Sequence, residues 1–205
     1  MPISSAPEVL IVPGLHGSGR DHWQTIWEGT NPSWKRVEQR DWHNPVLEEW
    51  VTALENAVRL SSRPPVLVAH SLGCIAVAHW AVRQQTPGVA AALLVAPADV
   101  ERPGRAAEVA EFTPIPRVRL PFPATLVASE NDSHCTLDAA RAMAVAWGSR
   151  FVNAGCQGHI NVPSGHGPWT EGVALFQELL VYAAAGAAPA CVASGTSTSF
   201  PVCTS

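Results

Sequence analysis

The chain has 205 residues, of which 47% are hydrophobic and 15% are charged, and its formal net charge is −4 at pH 7. This length suits one domain with a sizeable core and is short for two. The acidic balance and the lack of a basic cluster argue against binding to nucleic acid or to an anionic membrane.

Short apolar runs predict the strands of a sheet. Four of them are nearly continuous rather than alternating, which is typical of strands covered on both faces. They occupy residues 8–13, 66–70, 91–96 and 124–129, and two weaker candidates occupy 34–38 and 150–153. Helical patterns lie between them at 21–28, 45–61, 72–85, 137–147 and 169–184. Alternating strands and helices predict an α/β fold with a parallel sheet flanked by helices.

Two segments interrupt this alternation. Residues 97–123 are rich in proline and have room for at most one short helix, so we expect a surface excursion that forms only a minimal cap. Residues 186–205 are small, polar and aperiodic, which is typical of a flexible tail. We therefore expect a single α/β domain over residues 1–185 and a flexible C-terminal tail over 186–205.

The N-terminus and the cysteines bear on cellular location. Residues 1–14 lack a basic region, and their apolar run is too short for a signal peptide or a membrane span. The five cysteines are odd in number and show no CxxC spacing. Free thiols in a reducing compartment are the simplest interpretation, and we predict a cytoplasmic protein.

The stretch AHSLG at residues 69–73 lies between a predicted strand and an alanine-rich predicted helix. It matches the nucleophile-elbow pattern Gly-x-Ser-x-Gly, except that Ala69 replaces the first glycine. Such a turn projects the serine hydroxyl at the carboxyl end of a sheet, so Ser71 is a candidate nucleophile. The alternative is an ordinary strand-to-helix turn in which Ser71 only caps the helix.

A serine hydroxyl needs a base to remove its proton, and the chain has eight histidines. Catalytic groups in a doubly wound sheet come from loops at the carboxyl ends of strands. His159 lies in such a loop after the last predicted strand and is the preferred base. His166 is its rival, whereas His70 adjoins Ser71 and His79 lies within a helix.

The base in turn needs a carboxylate that fixes its tautomer. Asp132 follows the predicted strand at 124–129 and is the preferred acid, and Asp99, after the strand at 91–96, is its competitor. Glu130 lies closer to the strand end and is less suitable. The resulting order along the chain, serine then acid then histidine, is that of α/β-hydrolases and differs from those of chymotrypsin and subtilisin.

Backbone amides that would bind an oxyanion come from two places. Leu72 opens the helix after Ser71, where free N–H groups point outward. The glycine-rich loop PGLHGSG at residues 13–19 supplies the second donor, with Leu15 preferred and His16 next. A phosphate-binding loop is disfavoured, because neither Gly-Lys-Ser/Thr nor GxGxxG occurs there.

Aromatic residues near this predicted site are candidates for a substrate pocket. Trp42 and Trp169, both in loops, and His16 are predicted to contribute to its wall. Four other tryptophans sit at helical positions suited to core packing: Trp23, Trp27, Trp50 and Trp80. No spacing of histidines and carboxylates matches a metal site, so neither a metal nor a cofactor is expected.

These motifs together resemble the small serine hydrolases of the RBBP9/YdeN-like family, which belong to the α/β-hydrolase superfamily. The resemblance covers roughly residues 8–184. It rests on VPGLHGSGRDHWQ, RDWHNP, AHSLG, APAD, SENDSHC and GHINVPSGHGPWTEG. It implies six parallel strands in the order 2-1-3-4-5-6, and Ser71, Asp132 and His159 as nucleophile, acid and base.

The resemblance also implies activity on short acyl esters. We therefore expect a serine hydrolase that cleaves small carboxylic esters through an acyl-enzyme intermediate. The alternative is a weakly active or inactive protein-interaction module on the same fold, because a fold alone does not determine function. A small-molecule ester is the expected partner, and a protein partner is possible but is not indicated.

Overall fold

The computed structural model describes residues 7–83 and 88–185. Six strands form one sheet: β1 (Val9–Val12), β2 (Trp34–Arg36), β3 (Val66–His70), β4 (Ala91–Val95), β5 (Ala124–Ala128) and β6 (Arg150–Asn153). All neighbouring strands are parallel, and their order is β2-β1-β3-β4-β5-β6. The predicted α/β fold and the strand order implied by the resemblance are confirmed.

Five α-helices connect these strands: α1 (Trp23–Thr30), α2 (Leu47–Arg59), α3 (Leu72–Ala81), α4 (Leu137–Trp147) and α5 (Thr170–Ala184). Only α4 has the predicted bounds, and the bounds of α1, α2, α3 and α5 differ by one to a few residues. Helix α2 begins later than residue 45 because Val46 has an extended backbone, with φ −105° and ψ 121°. Helix α3 ends at Ala81, and residues 84 and 85, where it was predicted to end, lie outside the described residues.

The hydrophobic core has two halves, one on each face of the sheet. On one face, buried strand residues meet α2, α3 and α4; examples are Leu10, Leu67, Leu94 and Leu126 against Trp50, Ile75, Trp80 and Trp147. On the other face they meet α1 and α5; examples are Ile11, Val68, Leu93 and Val127 against Trp23, Trp27, Phe176 and Leu179. Burial on both faces explains why these strands read as continuous apolar runs. The predicted core positions of the four helical tryptophans are confirmed.

The predicted surface excursion lies between β4 and β5. It contains one short 3-10 helix, Ala107–Phe112, which agrees with the expectation of at most one short helix. Within the described residues, no helix is long and apolar enough to cross a membrane. The predicted tail, residues 186–205, lies outside the described residues, so the division into one domain and a tail stays a prediction.

The ends of β1 and β3 approach each other closely at Gly73, the first glycine of α3. A Cβ atom built on Gly73 would overlap the Val12 carbonyl oxygen and lie 2.6 Å from the Pro13 carbonyl oxygen. A second close approach occurs at Gly14, where a Cβ would lie 2.7 Å from Ser71 Cβ. Only glycine fits at these two positions without a backbone shift, and they set the distance between the loop after β1 and the turn after β3.

We expect Gly73→Ala to lower the free energy of unfolding by about 1–3 kcal/mol or more, because the added methyl group must displace backbone. Gly29→Ala is the matched control. Gly29 lies in α1, and a Cβ built there meets nothing within 4 Å. The control is expected to gain about 0.5–1 kcal/mol from helix propensity. Urea denaturation measures both, and equal stability of the two variants would contradict the close approach.

Candidate active site

Ser71 lies in a sharp turn between β3 and α3. Its backbone has φ 54° and ψ −122°, a conformation that residues other than glycine rarely adopt. The Ser71 N–H donates to the Val95 carbonyl oxygen of β4 at 3.0 Å, which ties the turn to the sheet. The Ser71 side chain makes no capping hydrogen bond to α3. The turn therefore directs the hydroxyl away from the helix, and the alternative role as a helix cap is not observed.

A continuous chain of hydrogen bonds joins three of the predicted site residues. Ser71 Oγ lies 2.9 Å from His159 Nε2. On the other side of the imidazole ring, His159 Nδ1 lies 2.9 Å and 2.8 Å from the two carboxylate oxygens of Asp132. The side chains of His159 and Asp132 are only 9% and 2% exposed. Three loops that follow three different strands thus bring Ser71, His159 and Asp132 together.

The rival carboxylates have other hydrogen-bond partners. Asp99 lies after β4, and its Oδ1 accepts the Glu101 N–H at 3.0 Å. Glu130 accepts a hydrogen bond from Asn153 Nδ2 at 2.8 Å, on β6. Neither carboxylate is hydrogen-bonded to His159 in the described part of the chain.

The rival histidines are also engaged with other groups. His166 lies 2.9 Å, through Nε2, from Gln157 Oε1. His79, in the last turn of α3, donates through Nε2 to the Phe112 carbonyl oxygen at 2.9 Å. The positions of these residues after predicted strands left more than one candidate for the base and for the acid. The fold brings only His159 and Asp132 into contact.

Neighbouring polar groups hold the acid loop and the base loop together. Asn131 Oδ1 accepts the Gly158 N–H at 2.7 Å and the Ser129 hydroxyl at 2.9 Å. The Ser129 oxygen in turn accepts the Gln157 N–H at 2.9 Å. These bonds connect the residues beside Asp132 to the residues before His159, so the separation of acid and base is set by the loops themselves. Asn131 had no predicted role, although it directly precedes Asp132.

His70 links the nucleophile turn to the base. It ends β3 next to Ser71, and its Nε2–H donates to the His159 carbonyl oxygen at 2.9 Å. Burial, together with the nearby His159 and His22 rings, lowers the pKa of His70 well below its usual value. His70 is therefore neutral at pH 7, with its proton on the nitrogen that holds the backbone of His159.

The amide groups of the glycine-rich loop are not equivalent. The His16 N–H donates to the Trp42 carbonyl oxygen at 2.7 Å, and the Gly17 N–H donates to the Gly14 carbonyl oxygen at 3.0 Å. Within the described residues, no backbone carbonyl takes up the Leu15 N–H. His16 is thereby removed from the two alternatives for the second oxyanion donor. Leu15 remains, beside the first amide of α3 at Leu72.

A cavity of about 470 Å³ opens over Ser71 and His159. The glycine-rich loop, including Leu15 and His16, forms one wall. The excursion after β4 forms a second wall with seven residues: Ala98, Asp99, Val100, Arg102, Arg105, Ala106 and Val109. The loop after the base forms a third with Asn161, Val162 and Pro163. The predicted location of His16 at a pocket wall agrees with this arrangement.

Neither tryptophan predicted to wall the pocket lines this cavity. Trp169 is 6% exposed and packs in the core, with its ring stacked on Trp27 at 5.9 Å. Trp42 packs edge-on against Trp50 with ring centroids 5.7 Å apart. The predicted aromatic wall is therefore not observed at this cavity. Both rings pack against other tryptophans instead.

A group of histidines surrounds the base. The His134 ring centroid is 4.3 Å from that of His159, and His22 is 4.9 Å from His70. Burial, and next the positive charge of Arg36, lower the pKa of His22 to about 4. His22 Nδ1 also caps α1 by accepting the Gln24 N–H at 3.2 Å, which requires an unprotonated nitrogen. His134 and His22 had no predicted role. The only signal in the sequence is that each lies in a segment that follows a strand, β5 for His134 and β1 for His22.

The described cysteines agree only in part with the expectation of free thiols. Cys74 and Cys135 are free and buried. Cys156, in the loop between β6 and His159, is disulfide-bonded, so the expectation is wrong at this position. The cytoplasmic location that free thiols suggest stays a prediction, with this part of its support removed. Burial raises the pKa of the Cys74 thiol, which keeps it protonated and suits its role in core packing.

Comparison with known proteins gives a consistent result. A family model described as serine hydrolase matches residues 9–178. A YdeN-like hydrolase from Pectobacterium atrosepticum is 34% identical over 85% of this chain and 91% of that one, with a TM-score of 0.76. The ydeN product of B. subtilis is 16% identical over 85% of this chain and 99% of its own chain, with a TM-score of 0.70. Est1E from Butyrivibrio proteoclasticus is 12% identical over 87% of this chain and 88% of its own chain, with a TM-score of 0.64. The last two support the fold alone, and no curated protein matches the chain.

We expect the titration of His22 to destabilise the fold in acid. Its pKa is about 4 in the folded chain and near 6.5 when unfolded, so between these values only the unfolded state takes up the proton. The free energy of unfolding should therefore fall as pH falls through this window. His22→Asn retains an N-cap acceptor but does not titrate. Its loss of stability between pH 7 and pH 5, measured by urea denaturation, should be smaller than that of the unsubstituted protein by about 2 kcal/mol. Equal losses would contradict the assigned pKa.

Proposed function

Because the chain belongs to the serine hydrolase family, we propose that it hydrolyses small carboxylic esters through Ser71, His159 and Asp132. The observation that carries the proposal is the hydrogen-bond chain from Ser71 Oγ through the His159 ring to the Asp132 carboxylate. Such a chain is the arrangement that activates a serine hydroxyl at neutral pH. In this proposal the chain itself supplies the nucleophile, the base and the acid.

In the first half-reaction, Ser71 Oγ forms a bond to the ester carbonyl carbon while its proton passes to His159 Nε2. Asp132 accepts the Nδ1–H of the ring and stabilises the imidazolium that forms. The N–H groups of Leu15 and Leu72 would donate to the oxyanion. Collapse of this intermediate breaks the ester C–O bond, and the departing alkoxide takes the proton from His159.

In the second half-reaction, water attacks the acyl carbon of the ester formed with Ser71. His159 takes a proton from this water and returns it to Ser71 Oγ as the acid is released. The open cavity and the short excursion over it favour small esters over long lipids. The competing hypothesis is a weakly active or inactive protein-interaction module on the same fold, and it predicts little or no reaction of these groups.

We expect a fluorophosphonate probe to label the protein at Ser71 and Ser71→Ala to abolish both labelling and ester turnover. The loss of turnover of 4-nitrophenyl acetate should be at least about 10³-fold, since the nucleophile is removed. Ser33→Ala, an exposed serine before β2, is the matched control and should behave as the unsubstituted protein. Equal labelling of the Ser71 variant would refute the nucleophile, and no labelling of the unsubstituted protein would favour the interaction module.

We expect Asp132→Asn to lower kcat for 4-nitrophenyl acetate by about 10³-fold or more, because the amide no longer fixes the His159 tautomer. Asp99→Asn should cost far less, since Asp99 is not bonded to the base. Asp138→Asn, at an exposed position in the first turn of α4, is a control for loss of one negative charge. Steady-state kinetics on the three variants measures this, and a larger loss in the Asp99 variant would assign the acid to Asp99.

A further inference from the structure

The wall of the cavity formed by the excursion after β4 carries two arginines, Arg102 and Arg105. We propose that they bind a carboxylate on the substrate, so that the preferred ester bears an anionic group away from the bond that is cleaved. This inference rests on the proposed function, because it names the substrate class of the same site.

The first observation is that, among residues 7–83 and 88–185, these arginines have no carboxylate partner. Within the described residues, five other arginines form ion pairs: Arg36, Arg40, Arg83, Arg117 and Arg150. Neither Arg102 nor Arg105 forms one there. Two guanidinium groups that line a cavity without a partner are suited to bind an incoming anion.

The second observation is that the nearby carboxylates are occupied by other groups. Glu101, next to Arg102 in the chain, pairs with Arg117 at 2.7 Å and accepts the Ile115 N–H at 2.8 Å. Asp99 accepts the Glu101 N–H instead of pairing with an arginine. The two carboxylates closest to Arg102 in the chain are thus bonded to other groups, which leaves the positive charge of Arg102 available to the cavity.

The third observation places the charge of Arg102 near the reacting groups. Burial and His159 lower the pKa of His134, Asp132 raises it, and Arg102 lowers it, so the Arg102 charge acts on a ring whose centroid is 4.3 Å from that of His159. The pKa values of His22 and His70 are also lowered, so these rings are neutral at pH 7. The cavity wall therefore carries two positive charges, on Arg102 and Arg105, and one negative charge, on Asp99. The net charge that faces the substrate is positive.

The same wall contains two buried apolar residues, Val100 and Val109. A substrate that fits it has a short apolar stretch and an anionic end. Two kinds of ester have this chemistry, a monoester of a short dicarboxylic acid and an ester whose alcohol carries the carboxylate. Both place a carboxylate a few bonds from the carbonyl carbon that Ser71 would attack.

The test compares each charged ester with its neutral amide counterpart. For the acyl side these are mono-4-nitrophenyl adipate and the matching adipamate ester, and for the alcohol side 4-carboxyphenyl acetate and 4-carbamoylphenyl acetate. We expect the unsubstituted protein to favour the charged member of at least one pair by about tenfold or more in kcat/KM. The preference should weaken as salt rises from about 0.05 to 0.5 M, because exposed charges are screened.

Variants then assign the preference to the arginines. Arg102→Gln should lose at least about tenfold more kcat/KM on the charged ester than on the neutral one, and Arg105→Gln should lose less because its side chain is more exposed. Arg102→Lys should retain part of the preference. Asp99→Asn should increase it, since a like charge is removed. Arg59→Gln, on the far end of α2, changes the net charge equally and should alter neither ester.

A second readout does not depend on turnover. Adipate should protect Ser71 from the fluorophosphonate probe more than adipamide does, and Arg102→Gln should abolish the difference. No preference in either ester pair and no selective protection would overturn the inference while leaving Ser71-dependent hydrolysis intact. Equal losses on both esters in the Arg102 variant would also overturn it. Hydrolysis that survives Ser71→Ala would instead refute the proposed function.

Discussion

The turn at Ser71 depends on how closely two strand ends of the sheet can approach each other. The carbonyl groups of Val12 and Pro13 lie against Gly73, and Gly14 lies against Ser71 Cβ. This contact brings the loop after β1 to the first amides of α3. It also holds Ser71 in its unusual backbone conformation, which an isolated turn would not maintain. The hydroxyl and the Leu15 and Leu72 amides owe their common location to one steric requirement.

Backbone strain is concentrated at the same edge of the sheet. His16, Ser71, Ala96 and Ile160 all have positive φ, and each follows the carboxyl end of a strand. Hydrogen bonds across the edge hold these loops: the His70 ring binds the His159 carbonyl oxygen, and Trp23 Nε1 donates to the Ile160 carbonyl oxygen at 2.9 Å. The two core halves supply rigid strand ends, so the strain can persist where the polar groups converge.

Much of this arrangement could be predicted from sequence, for identifiable reasons. Continuous apolar runs indicate strands that are buried on both faces, which predicts the fold. Parallel strands bring their carboxyl ends to one edge of the sheet. Ser71, Asp132 and His159 could therefore be selected by their positions after strands. Contacts between residues of different loops, or between a loop and the core, could not be predicted in this way. Trp169 occurs in a loop, but its ring is stacked on Trp27 in the core. The choice between Leu15 and His16 depended on a hydrogen bond to the Trp42 carbonyl oxygen, 26 residues away.

The groups that we propose for the reaction and those that we propose for substrate choice occupy different parts of the chain. The hydroxyl, imidazole and carboxylate follow β3, β6 and β5, and their spacing is set by the sheet and by bonds such as that from the Gly158 N–H to Asn131. The wall with Arg102 and Arg105 belongs to the excursion between β4 and β5, which contributes no strand to the sheet. The excursion can therefore change in charge without moving the three groups. For this reason the fold and the family account for a hydrolase, and we propose that the charges of that wall select its substrate.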